Sequence, residues 1–453
     1  MPDISYLKIG LPENIARAKE AGDLDFAVRL IDTRLAGDCT QALRERLLLE
    51  KERIYRLESD YPYTRQEAFD RLKALKKDLT WEQFEAFELD GSADFHYFGG
   101  EKRYFVDQDA AICKMHPELG AGPKQVSDDV TGRNIALQRE KGVCSARFRM
   151  RASMRVRNGQ FVPGEIYTAH LPIPAKAAQI SDIRILEASH ANYILAPEDA
   201  QQRTICFRTK LEKNEEFSVE YEFTNTVRYI NAWDPPKEKT VFYPNALPVR
   251  DEDTEELLPH IRFSPYLCWL AEELRAGEED PFLIARNFYD YITRHVRYSY
   301  MPSYALMDDI AEYCALNLRG DCGVQALMFI ALCRISDIPA RWQSGLTCEP
   351  DGAGCHDWAQ FYTEKYGWLF ADPSFGGGGV RRGDEARRRF YFGNIDVCRM
   401  PANRAYMADF IPPRAFTRRD PFDSQTGECE TNRRPIPFAG FERRQQVLSM
   451  TWL

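Results

Sequence analysis

From Ala146 to Arg157 the chain alternates without a break: Ala146, Phe148, Met150, Ala152, Met154 and Val156 interleave with Arg147, Arg149, Arg151, Ser153, Arg155 and Arg157. Successive side chains of a strand point to opposite faces, so this pattern dictates a long strand with one buried face and one arginine-rich face. A strand of that kind needs partners. Asn158-Gly159 follows, the dipeptide favoured in tight hairpin turns, and Glu165 to Leu171 is the expected return strand. Ile183 to Ile185, Ile205 to Phe207 and Phe217 to Phe223 add period-2 segments separated by turn residues, so residues 143–232 predict an antiparallel β-sandwich-like domain. The arginine row reads as a solvated face paired with Glu220 and Glu222. A docking surface for an acidic partner is the alternative.

The flanking patterns differ. Residues 1–90 carry apolar residues at helical spacing over Leu24 to Leu35, Gln41 to Leu57 and Thr64 to Leu79, with a helix start at Leu11-Pro12-Glu13. This region predicts a helical cap; a helical array that binds another protein is the other reading. Phe95 to Val106, broken by Gly99-Gly100, carries a hairpin signature, and a helix near Asn134 to Lys141 completes residues 91–142. Prolines and Asp251-Glu252-Asp253 mark residues 233–262 as a linker. Residues 263–400 form the next expected domain, and 401–453, rich in Pro, Arg and Asp, an extension that wraps the rest.

The chemistry concentrates between Arg319 and Ser374. Cys322 follows a Gly-Asp turn and opens a run with apolar residues at Val324, Leu327, Met328, Ala331 and Ile335, ending before Pro339. A cysteine at a helix N-terminus has its thiolate favoured by the unpaired N–H groups and the helix dipole. His356 opens a strand through Tyr362, a turn follows at Lys365 to Gly367, and a second strand runs through Trp368 to Asp372. In such a hairpin residues 356 and 372 approach, so the Asp372 carboxylate can accept the His356 ring N–H and orient the imidazole. Seven histidines are present, and His356 is the only one after His295, which lies in an expected helix where a structural role suffices.

Each residue also has a plainer reading. A lone cysteine in an apolar helix is usually a small core residue. Asp357 falls on the opposite strand face if His356 faces the site, which makes it a solvated or supporting carboxylate. Cys348 and Cys355 with His356 suggest zinc, but the spacing lacks a second close pair and a metal would consume the base, so no metal or cofactor is expected. Trp358 and Trp368 read as core residues or a cleft wall. Gly376 to Gly379 reads as a mobile flap or a surface loop. Arg381, Arg382, Arg387, Arg388 and Arg389, interrupted by Asp384 and Glu385, read as a solvated face.

Gly320-Asp321-Cys322 opening a helix, Ile338-Pro339-Ala340-Arg341 after it, His356-x-Trp358 on a strand and Trp368 with Asp372-Pro373 on the next together resemble the transglutaminase-like superfamily. The resemblance covers roughly residues 280 to 400. It implies an α+β fold with a papain-like core, Cys322 as nucleophile, His356 as general base and acid, and Asp372 as orienting carboxylate. It does not choose among the family's chemistries. The Cys322 N–H is one natural oxyanion donor. Tyr298 is the candidate for a second, because related enzymes take an aromatic donor from a comparable segment, with Tyr300 and Tyr304 as alternatives.

The expected activity is a thiol-dependent acyl transfer on an amide or peptide carbonyl, hydrolytic rather than cross-linking, with a protein or peptide substrate. A scaffold with an idle triad and a transglutaminase transferring to an amine are the alternatives. A net charge of −9 argues against broad affinity for nucleic acid or acidic lipid. The N-terminal residues lack the basic and apolar regions of a signal peptide, no apolar run is long enough to span a bilayer, and twelve dispersed cysteines suit a reducing compartment, so a cytoplasmic location is expected.

Overall fold

The computed structural model describes residues 4–119, 129–418 and 420–453. It is a mixed α+β structure with five sheets and separates into two units. One comprises Met1–Ser127, Leu258–Arg262 and Val296–Asp321; the other comprises Asp128–Leu257, Phe263–His295 and Cys322–Leu453. No helix among the described residues is long and apolar enough to cross a membrane.

In the first unit, helices Leu24–Ala36, Gln41–Asp60, Arg65–Leu75 and Trp81–Leu89 begin on side-chain caps from Asp23, Thr40, Thr64 and Thr80. Each cap oxygen accepts an N–H that the helix itself cannot satisfy. The stretch expected to be helical from Thr64 to Leu79 is a helix only to Leu75, and Thr80 with Gln83 forms a capping box that starts the next helix at Trp81. Strands Phe95–Phe98 and Glu101–Tyr104 form the expected hairpin, with Gly99 and Gly100 at positive φ in its turn. Glu50 lies fully enclosed among Lys19, Arg46 and Arg53, and Arg53 also donates to the carbonyls of Ala305 and Leu306. That arginine ties the discontinuous 296–321 segment to the helical region.

The second unit holds two four-stranded sheets and a five-stranded one. Strand Val143–Val156 pairs with Phe217–Arg228 on one side and with the C-terminal strand Phe441–Trp452 on the other. Its even-numbered side chains are buried, and its arginines meet carboxylates across the sheet, Arg149 to Glu220 at 2.8 Å and Arg151 to Glu216 at 2.9 Å. The hairpin expected at Asn158-Gly159 does not form. Gly159 stays outside the left-handed region that such a turn needs, and the chain crosses to the other sheet, where Ile166–Pro172 pairs with Thr204–Lys210 and Glu428–Thr431. The extension therefore supplies one strand to each sheet.

The five-stranded antiparallel sheet has the order Phe392–Gly393, Gly367–Ala371, Gly352–Thr363, Ala340–Glu349, Arg399–Asn403. Helix Cys322–Ile335 packs on it, with Phe329 against Phe361 at 5.8 Å, and every residue from Gly323 to Arg334 is buried. One apolar core continues from Phe148, Tyr221 and Phe223 to Trp358, Phe370 and Met400, so the sandwich strands and this sheet stabilise each other.

Two further expectations are corrected here. The glycine run expected as a flap lies in helix Pro373–Arg381, packed so closely that a Cβ at Gly376 would sit 1.9 Å from the Tyr289 hydroxyl. The basic run is a solvated face only in part: Arg381, Arg382 and Arg389 are exposed, but Arg388 is buried between Asp290 and Glu385, and Arg387 is buried and pairs with Asp129 at 3.2 Å.

Candidate active site

Cys322 is the first residue of its helix and is partly exposed. Its thiol donates to Asp357 Oδ2 at 3.2 Å. Asp357 is buried, and its other oxygen accepts from the Gln425 amide, which also donates to Asp423 at 2.9 Å. Asp423 accepts from the Ser344 hydroxyl, and Asn403 donates to Ser344 at 3.1 Å. Burial pushes the Asp423 carboxyl up and, with the neighbouring Asp423, pushes Asp420 up to about 7. A polar chain thus runs from the C-terminal extension to the thiol.

His356 and Asp372 meet as expected. His356 Nε2 lies 2.7 Å from Asp372 Oδ2, and both residues are buried. The hairpin register explains this: Ala359 faces Ala371 across the ladder, which brings residue 372 beside Trp358, one diagonal step from His356. Asp372 also caps the following helix, accepting from the Phe375 N–H at 3.0 Å and the Ser374 hydroxyl at 3.1 Å. Arg399, wholly buried, ion-pairs with Asp372 at 3.1 Å and with Asp396 at 2.7 Å. Burial would raise the Asp372 carboxyl, but His356 and Arg399 outweigh it and hold it at about 2. Burial lowers the His356 imidazole, opposed by Asp372 and assisted by Arg399. A neutral imidazole oriented by an ionised carboxylate is the protonation state that a general base needs.

The reading of Asp357 as a solvated or supporting carboxylate is corrected. Side chains alternate along the strand: Phe361 contacts the Cys322 helix, and Asp357 shares that face. His356 stacks near Trp358 and Phe375 on the other, at 6.0 and 4.3 Å between ring centroids. So the structure joins Cys322 to Asp357 and His356 to Asp372, on consecutive residues of one strand. Asp357 has two opposing neighbours in its effect: a carboxylate beside the sulfur disfavours the thiolate, while the helix N-terminus favours it.

Tyr298 lies in the first unit, in a short strand pairing with Arg319–Gly320, and the Lys114 ammonium sits 5.7 Å from its ring centroid. Tyr304, also there, donates to Asp321. His295 ends its helix exposed, its ring 4.8 Å from that of Tyr291. Cys355 is exposed and Cys348 buried, and among the described residues no three His, Cys, Asp or Glu side chains are grouped to hold a metal ion. Arg399, Asp423 and Gln425 had no local signal in the sequence; only the fold brings them here.

Residues 269–373 match the family model of the transglutaminase-like superfamily. Among solved structures, the chain is similar to a candidate cysteine protease from Cytophaga hutchinsonii, at 14% identity over 69% of this chain and 90% of that one, with a TM-score of 0.38. It is also similar to the periplasmic domain of TgpA from Pseudomonas aeruginosa, at 14% identity over 57% of this chain and 96% of that one, with a TM-score of 0.29. No curated protein matches the sequence. The segment that matches the transglutaminase-like family model is the one that carries Cys322, His356 and Asp372.

Proposed function

We propose that this protein is a thiol-dependent acyl-transfer enzyme acting on an amide or peptide carbonyl. Cys322 attacks the carbonyl carbon, His356 takes the thiol proton and returns it to the leaving amine, and Asp372 holds the imidazole through Nε2. The acyl-enzyme then passes to water. The observation that carries this reading is the buried His356–Asp372 pair at 2.7 Å, set on the strand whose next residue holds the Cys322 thiol.

The reading requires His356 Nδ1 to reach Cys322 Sγ in the reacting state. Catalytic hydrogen bonds commonly tighten only in the substrate complex. Hydrolysis is preferred over transfer to an amine because no second, amine-binding site is evident in the residues around Cys322. A protein or peptide is the substrate class, and the partly exposed thiol suits a chain segment laid across it.

Replacing Cys322 by Ala is expected to abolish turnover of a peptide-library substrate while leaving the circular dichroism spectrum unchanged. Retained turnover rules the assignment out. A second reading, an idle fold used for binding, is favoured by the Cys322–Asp357 hydrogen bond, which stabilises the thiol over the thiolate. Iodoacetamide labelling separates the two. Rapid labelling of Cys322 below pH 7 that depends on His356 supports the enzyme, and labelling no faster than at the other eleven cysteines supports the scaffold.

A further inference from the structure

A second polar site, which shares strand Gly352–Thr363 through Gln360, lies at residues the acyl-transfer reading does not use. Lys176, Arg250, Arg341 and Arg404 line a partly open cavity of about 50 Å³ together with Trp342, and no acidic residue lines it. A single water needs about 10–15 Å³ of such space, so the volume admits a small tetrahedral ion.

Its donors are underused. Trp342 is 3% exposed, and its indole N–H has no acceptor. The Nε and Nη1 atoms of Arg404 are buried without partners, although its Nη2 donates to the Asp199 carbonyl. Arg341 donates to Gln360 at 2.9 Å and stacks 3.7 Å from the Trp368 ring centroid, which fixes its guanidinium in place. The acids nearby sit outside the cavity, where Glu252 and Asp253 engage Arg250. Burial holds Arg341 down at about 10, with Arg250 and Arg404 adding to the effect and Asp253 opposing it. Gathered cations and orphaned buried donors cost free energy that a bound anion would repay, and guanidinium forks match the oxygens of phosphate and sulfate.

We propose that this cavity binds a small tetrahedral oxyanion of the phosphate class, held by Arg341, Arg404, Arg250 and Lys176 with the Trp342 N–H as a neutral donor. The ion would be a fixed structural ligand or the charged group of a larger one, and its binding does not depend on Cys322.

The test is calorimetric titration of the full chain with inorganic phosphate, against sodium chloride at matched ionic strength, for the wild type, Arg404→Gln and Trp342→Phe. Saturable phosphate binding, weakened at least tenfold in each variant, is expected. Arg404 is only partly buried and Trp342→Phe is conservative, so both variants are expected to keep the wild-type circular dichroism spectrum. Phenyl phosphate separates the sources. If it binds as tightly as phosphate, the site takes an ester group; if it is rejected while phosphate binds, the site takes the free ion. A response that chloride reproduces, or phosphate binding unchanged in both variants, overturns the proposal.

Discussion

At the level of single residues, the decisive contrast is between His356 and Asp357. They are neighbours in sequence, and strand alternation sends one toward Asp372 and Arg399 and the other toward Cys322. The order Cys, His, Asp was readable in the sequence, and so was the approach of residues 356 and 372, because both follow from hairpin spacing. Which of two adjacent side chains faces the helix was not readable, since a one-residue choice of face is set by packing such as Phe361 on Phe329. The contact has a measurable consequence. A carboxylate about 4 Å from a sulfur costs the thiolate on the order of 1 kcal/mol even in a watery setting, which is roughly one pH unit. Asp357→Asn is therefore expected to move the midpoint of Cys322 alkylation by iodoacetamide down by about one unit. Asp423 accepts from the same Gln425 amide as Asp357, so it is the charged group that the substitution also touches. An unchanged midpoint in Asp357→Asn, with the profile still sensitive to His356→Ala, would show that Asp357 is a spectator; a profile insensitive to both changes would count against the active-site reading itself.

At the level of elements, the glycine run shows where local pattern misleads. Four successive glycines look like a mobile loop, because glycine is permissive and disfavours helix. Here the run forms the body of a helix since the neighbours leave no room for side chains: the Tyr289 hydroxyl lies over Gly376, and the backbone of Arg388 over Gly379. Tyr289 is itself fixed, being buried and donating to the Arg388 carbonyl at 2.6 Å. Gly376→Ala is expected to destabilise the second unit by about 1–3 kcal/mol, the usual cost of overpacking. Because Asp372 caps this helix, the same change is expected to slow turnover of a peptide substrate. Urea unfolding measures the first effect, and a midpoint equal to that of the wild type would mean the helix can shift away. The period-2 alternation from Ala146 was legible because each arginine finds a carboxylate or solvent on one face and each apolar residue a core on the other. Its partners were not, because Phe441–Trp452 lies almost three hundred residues away and its exposed, mixed pattern carries no period of its own.

At the level of the whole molecule, the balance of buried titratable groups sets how acid acts on each unit. Burial, aided by Arg414 and Arg418, holds His170 neutral down to about 3 in the second unit, and burial, aided by Arg53, does the same for His260 in the first. An unfolded histidine takes up its proton near pH 6.5. Between that value and the folded one the unfolded state binds more protons, so each of these residues withdraws about 1.4 kcal/mol of stability per pH unit as the pH falls. Raised carboxyls act the other way. Burial lifts Asp420 to about 7, and in the first unit it lifts Asp309 to about 6. These groups bind protons in the folded state first, so their contribution is present in acid and is lost as pH rises through those values. In each unit buried histidines and raised carboxyls therefore act in opposite directions between about pH 4 and 6.5, and each partly offsets the other there. Removing one side of the balance exposes the other. For His170→Gln, the stability of the second unit relative to the wild type is expected to rise by about 1.4 kcal/mol for each pH unit below 6.5, and His260→Gln is expected to do the same for the first unit. Urea unfolding at pH 7, 6 and 5, followed by a tryptophan signal for the second unit, reads the difference directly. A His170→Gln curve parallel to the wild type at all three values would mean that His170 takes up its proton in the folded protein as readily as in the unfolded chain.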